Sequence, residues 1–121
     1  SGARIIIKKY LNSKEIKKLF IQSYCLIFPS LYESFGIPLV DAMRTRCFII
    51  ASEQGATKEI CNENALYFNP NSPKELSENI LKIISKYPIK PIINKDILAF
   101  QQTWEQTSKE IFNKITRLLI D

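Results

Sequence analysis

Short apolar runs alternate along this chain with stretches in which apolar residues return every three or four positions. Residues 4–8 carry three consecutive isoleucines and read as a buried strand. Asn12 and Glu15 have the spacing of a helix N-cap and its third residue. The helix they open puts Ile16, Leu19, Phe20 and Tyr24 on one face. Residues 25–28 form a second apolar run, stopped by Pro29. Pro38 suits the first position of another helix, where its missing N–H costs nothing, and Leu39, Ala42 and Met43 then face the core. Residues 47–51 read as a third strand, 57–61 as a helical turn and 65–68 as a short fourth strand. Ser72, Pro73 and Glu75 cap a helix whose apolar stripe is Leu76, Ile80, Ile83 and Ile84. Pro88 and Pro91 interrupt the pattern. A last helix from about Thr103 carries Trp104, Ile111, Phe112, Ile115, Leu118 and Leu119. Trp104 reads as its core anchor, Tyr32 and Phe35 as partial core, and the cysteines as packing residues. Strand–helix alternation of this kind predicts an α/β domain with a mostly parallel sheet, whose ligands bind beyond the carboxyl ends of the strands.

Composition narrows the chemistry. A chain of 121 residues with 45% hydrophobic and 24% charged residues supports one globular domain. It has no histidine, which excludes serine–histidine and cysteine–histidine nucleophilic sites and imidazole metal centres. No metal or other cofactor is expected. The three glycines, Gly2, Gly36 and Gly55, are too scattered for a glycine-rich phosphate loop. Cys25, Cys47 and Cys61 form neither a CxxC pair nor an even set, which suits buried thiols in a reducing, cytoplasmic setting.

The net charge is +5, but the 13 lysines are spread along the chain. A solvated surface explains that spread better than a nucleic-acid stripe, so no nucleic-acid partner is expected. Attraction to the inner face of an anionic membrane stays open as a peripheral association. No apolar run approaches the ~20 residues of a membrane-spanning helix, and no signal peptide is visible.

The chemistry is concentrated in residues 29–43, Pro-Ser-Leu-Tyr-Glu-Ser-Phe-Gly-Ile-Pro-Leu-Val-Asp-Ala-Met. One acid, Glu33, lies in a loop after a strand, and a second, Asp41, lies on the first turn of the following helix. Gly36 lets a ligand approach the backbone closely. The N–H groups of Ile37, Leu39 and Val40 and the helix dipole favour an anion there, whereas Pro38 has no N–H to offer. Carboxylates accept strong hydrogen bonds from hydroxyls. The segment therefore suits a hydroxyl–phosphate–hydroxyl ligand, a description that fits a nucleotide sugar.

These residues resemble the nucleotide-sugar-binding domain of the retaining family 4 glycosyltransferases, whose GT-B fold sets two Rossmann-like domains face to face. The likeness rests on Pro29-Ser30, on Glu33-Ser34-Phe35-Gly36-Ile37-Pro38, on Asp41 eight residues after Glu33, and on Ala42-Met43. It continues through the strand Ile49-Ile50-Ala51-Ser52, Gly55 with Glu59-Ile60, the run 65–70, and Trp104-Glu105. The resemblance implies that Glu33 bonds donor-sugar hydroxyls and serves catalysis. It also implies that Phe35, Gly36 and Ile37 line the sugar and diphosphate, that Leu39 and Val40 N–H groups meet the diphosphate, and that Asp41 holds the ribose.

The implied function is donor binding for transfer of a hexose or N-acetylhexosamine from a nucleotide diphosphate sugar to a glycan or lipid-linked acceptor, in bacterial polysaccharide or O-antigen synthesis. The rival reading is a non-catalytic Rossmann-like module that binds a nucleotide or a partner protein. Asp41 stands where the family usually has glutamate, Arg46 where it has glycine, Phe48 where it has proline, and Lys8 where a glycine often follows the strand. By the same resemblance residues 1–121 correspond to an incomplete C-terminal half of the GT-B fold. The first two strand–helix units, with the Arg and Lys that neutralise the diphosphate, and the acceptor domain are then missing, and the piece alone is expected to be inactive. Loss of the two strands between them separates strand 4–8 from strand 25–28. Residues 4–8 are therefore expected to re-pair, within the chain or with another copy in a swapped homo-oligomer.

Overall fold

The computed structural model describes residues 2–32, 36–90 and 104–120. Three parallel strands form its sheet, β1 (Cys25–Phe28), β2 (Phe48–Ser52) and β3 (Leu66–Phe68), in the order β1-β2-β3. The register sets Leu26 against Ile49 and Ile27 against Ile50, then Ile50 against Leu66 and Ala51 against Tyr67. Helices α1 (Ser13–Gln22), α2 (Ile37–Arg44), α3 (Thr57–Cys61), α4 (Pro73–Ile84) and α5 (Trp104–Ile120) complete the described elements, with a 3₁₀ turn at Asn62–Asn64. This is the expected Rossmann-like α/β arrangement of a parallel sheet flanked by helices.

Alternation along β2 divides the core into two layers. Ile49 and Ala51 face a cluster built from Leu39, Ala42 and Met43 of α2, Cys47, and Ile60 and Cys61 of α3. Ile50 faces the opposite way, onto Phe68 and Ile83, with Leu76 and Ile80 of α4 at the margin. β2 is buried on both sides, as its unbroken apolar run requires. Asn79, buried on α4, donates from Nδ2 to the Tyr67 carbonyl at 2.9 Å and so satisfies a polar group inside that layer. Ile84, expected in the α4 stripe, is the last residue of the helix and is exposed, while Ile83 beside it is buried.

The capping signals hold. Glu15 N–H donates to Asn12 Oδ1 at 3.0 Å and Asn12 N–H to Glu15 Oε2 at 2.8 Å, closing the capping box of α1. Glu75 N–H donates to Ser72 Oγ at 3.3 Å, while the Glu75 carboxylate turns back to accept from Asn69 N–H at 2.7 Å.

Other expectations fail. Residues 4–8 form no strand: Ile5, Ile6 and Ile7 are 88%, 61% and 83% exposed, and the segment pairs with none of the described strands. An apolar run becomes a strand only where a neighbour supplies its hydrogen bonds, and none of the described strands does so here. The apolar stripe of α5 is likewise exposed, from Ile115 at 51% to Leu118 and Leu119 at 80%, because no described element packs extensively against it. Tyr32 is 90% exposed, not partial core, since it sits in the loop beyond the sheet. Helix α2 begins at Ile37, one residue before Pro38, with Gly36 as its N-cap. The expected roles of Phe35 and of the Trp104 side chain lie outside the described residues.

Candidate functional site

A parallel sheet sends the carboxyl ends of its strands to one edge, so the loops after Phe28, Ser52 and Phe68 gather there. The loop after β2 is held tightly. Thr57, fully buried, donates its hydroxyl to the Ser52 carbonyl and also reaches the Gln54 carbonyl at 3.0 Å. Gly55 turns between them at φ 68°, where a side chain would be strained. Glu53 N–H donates across to the Phe68 carbonyl at 3.0 Å, tying the ends of β2 and β3. Lys58 lies 3.6 Å from the Glu53 carboxylate and 5.5 Å over the Tyr67 ring, so it is engaged on the surface.

The loop after β1 leads to the N-terminus of α2. Gly36 is buried and left-handed, at φ 61° and ψ 50°. That conformation delivers the chain from loop to helix and favours glycine. The Gly36 carbonyl accepts from Leu39 N–H at 2.9 Å and Val40 N–H at 3.3 Å. This narrows the anion reading. Leu39 and Val40 N–H groups close the first turn of the helix, and the Leu39 side chain is fully buried. Ile37 N–H, by contrast, has no acceptor among the described residues. Glu33 and Phe35 lie outside the described residues.

Asp41, one turn further along α2, is partly exposed, with its carboxylate 4.0 Å from the Arg44 guanidinium. It opens into a cavity of about 620 Å³ between α1 and α2. The α2 wall is a single stripe of that helix, Ile37, Pro38, Asp41, Arg44 and Thr45. The α1 wall is Ser13, Ile16, Lys17 and Phe20, spaced at three and four residues. Sequence reasoning placed Ile16 and Phe20 on the inner face of α1 but missed Ser13 and Lys17 on the same stripe. The volume lies within the ~300–1,000 Å³ usual for small-molecule sites. Its walls offer an acceptor-only carboxylate, donor-only cations and apolar surface. No cluster of metal-binding side chains occurs among the described residues.

Helix α2 ends in a turn of its own kind. Arg46 N–H donates to the Met43 carbonyl at 3.1 Å and Cys47 N–H to the Ala42 carbonyl at 2.9 Å, the paired bonds of a Schellman motif. Arg46 occupies its left-handed position at φ 55°. Arginine therefore makes the turn that glycine usually makes, and the chain still enters β2 in register.

All three thiols are free, with Cys47 and Cys61 buried and Cys25 half-buried. Burial pushes the Cys61 thiol up to about 11, and burial, reinforced by nearby Cys47, does the same for Cys25.

Residues 2–96 match the family described as glycosyl transferases group 1. The chain is 35% identical over 78 residues to the O-antigen chain mannosyltransferase RfbU of Salmonella typhimurium, covering 64% of this chain and 22% of that protein. It is 24% identical over 116 residues to the uncharacterized glycosyltransferase MJ1607 of Methanocaldococcus jannaschii, covering 91% of this chain and 30% of that protein. The chain thus spans less than a third of the length of either curated relative. The solved C-terminal domain of a glycosyl transferase group 1 family protein from Francisella tularensis superposes with a TM-score of 0.57 and 30% identity, over 65% of this chain and 42% of that one.

Proposed function

The chain belongs to the group 1 glycosyl transferases, and on that premise we propose that it is the donor-binding part of a retaining, GT-B glycosyltransferase. In this reading residues 1–121 are part of the C-terminal nucleotide-sugar domain, and the acceptor is held by an N-terminal domain. The reaction moves a hexose or N-acetylhexosamine from a nucleotide diphosphate sugar to a glycan or lipid-linked acceptor. The O-antigen name of the Salmonella relative favours a place in bacterial polysaccharide synthesis. A cytoplasmic location, at the inner face of the membrane, is part of the same proposal.

One observation carries the reading. The pair Glu33 and Asp41, eight residues apart, brackets the left-handed Gly36 at the N-terminus of α2, beyond the carboxyl end of β1, in a chain of this family. Glu33 and Phe35 meet the donor sugar, and Glu33 orients it through hydroxyl bonds. Ile37 N–H and the positive end of the α2 dipole meet the diphosphate. Leu39 and Val40 hold that turn in shape. Asp41 accepts from the ribose, with a side chain one methylene shorter than glutamate. During transfer the bond from the anomeric carbon to the phosphate oxygen breaks, and a bond to the acceptor oxygen forms on the same face. The acceptor proton passes to the departing diphosphate. Stabilising that developing charge is a main source of rate in such transfers.

The test is turnover by the full protein with a panel of nucleotide diphosphate sugars. Glu33→Ala is expected to lower kcat by a hundredfold or more with an unchanged circular-dichroism spectrum. Unchanged turnover removes Glu33 from the site.

A further inference from the structure

Helix α1 walls the cavity that Asp41 opens into, yet no residue of α1 is buried. Phe20 reaches the margin of the core. A second cavity, of about 300 Å³, separates Ile16 and Leu19 of α1 from Cys25 and Leu26 of β1. Apolar burial by itself therefore holds this helix weakly. The capping box secures its N-terminal end. Its last turn has no basic residue to meet the free carbonyls there. That end is served from far along the chain. Lys90 Nζ donates at 3.0 Å to the carbonyl of Ser23, the C-cap of α1, and lies 6.0 Å over the Tyr24 ring. The Tyr24 hydroxyl donates to the Ile89 carbonyl at 2.9 Å and lies 3.4 Å from the Ile83 carbonyl. The Tyr24 ring meets Phe48 and Tyr87 edge-on, with centroids 5.2 and 5.1 Å away. Together these contacts tie the junction of α1 and β1 to the end of α4 and the segment after it.

From these contacts we infer that Tyr24 and Lys90 are positioning residues of the site: they fix the C-terminal end of α1, and through it the wall that faces Asp41. The consequence for turnover rests on the donor reading above. Neither residue lines the cavity, so both act through the helix and not on a ligand. When the wall is held in one place, the groove is formed before anything enters it. When the wall drifts, only a fraction of the molecules can bind, and apparent affinity falls by that fraction. Such a loss weakens ground state and transition state alike, so it raises KM and leaves kcat in place.

Hydrogen exchange of the full protein and of Tyr24→Phe, Lys90→Met and Lys90→Arg tests this. Tyr24→Phe keeps the ring and removes only the hydroxyl. Amides of α1 are expected to exchange about fivefold faster in Tyr24→Phe and Lys90→Met, as for one lost hydrogen bond, with β2 and α4 unchanged. Lys90→Arg, still a cationic donor, is expected to restore protection. Unchanged α1 exchange overturns the inference. So does faster exchange throughout the sheet, which shows only a general loss of stability, or failure of Lys90→Arg to rescue. In turnover with the nucleotide diphosphate sugar that the parent protein uses, the two loosening variants are expected to raise the donor KM about fivefold at constant kcat. A loosened α1 with unchanged KM overturns the positioning role and leaves the donor reading intact. Absence of turnover in the parent protein rejects the donor reading, and the exchange pattern then decides alone whether Tyr24 and Lys90 hold the wall.

Discussion

Two isoleucine runs in this chain meet opposite fates. Ile49 and Ile50 of β2 are 1% and 0% exposed, while Ile5, Ile6 and Ile7 lie in the open. Their side chains are equally suited to a strand. What differs is the neighbourhood. β2 has a strand on each side and helices on both faces, so its backbone groups are paired and its side chains removed from water. Residues 4–8 have neither among the described residues. An apolar pattern therefore states a capacity for burial, and topology decides whether it is used. Among the described residues the run re-pairs with no strand, against the expectation of re-pairing within the chain.

The sharpest way to break this comparison is to truncate one isoleucine from each run. Ile50→Ala is expected to destabilise the protein by about 3 kcal/mol, through lost burial and the cavity left between β2 and α4. Ile6→Ala is expected to cost no more than about 0.5 kcal/mol, as at other exposed positions. Urea unfolding followed by circular dichroism measures both. Comparable losses would mean that the first run is buried in solution.

A second measurement probes the packed region by pH. The Cys61 thiol is raised from an ordinary 9.0 to about 11 by burial, so the folded state favours its neutral form. That contribution is complete below pH 9 and is lost as pH rises toward 11, by about 2 kcal/mol at pH 11. Unfolding free energy should fall over this window, and the fall should be shallower in Cys61→Ala. Identical slopes in the two proteins would show that this thiol does not drive the alkaline loss.

The smallest effect concerns the turn that leads into β2. Arg46 holds the left-handed position of the α2 Schellman motif at φ 55°, which costs a non-glycine residue ~1 kcal/mol. Arg46→Gly is expected to stabilise by up to about 1 kcal/mol, read as a higher urea midpoint. A lower midpoint would mean that the arginine side chain contributes more than the strain costs.

The motif around Gly36 was readable because its parts are local. A left-handed glycine, a proline near the helix start and two acids eight residues apart are all written within one loop and two helical turns, although Asp41 falls on the second turn and not the first, because the helix starts at Ile37. The capping box at Asn12 and the Ser72 cap were readable for the same reason, each bond spanning three residues. β1 matched its expected limits, whereas β2 was displaced by one residue, because Cys47 belongs to the Schellman turn. The place of Lys17 on the wall of the groove was not readable. On α1 it is one lysine among several, and only the approach of α2 sets it across a cavity from Asp41. Nor could the pattern tell that Leu39 and Val40 N–H groups bond the Gly36 carbonyl, since that depends on where the helix begins.

By itself, then, the sequence determined the alternation of strands and helices, the caps and the acid–glycine–acid loop, because each depends on residues a few positions apart. The tertiary structure decided which isoleucines are buried, which amides remain for a ligand and which lysine faces the groove. Those outcomes depend on groups distant in sequence, whose meeting is set by strand pairing and helix packing.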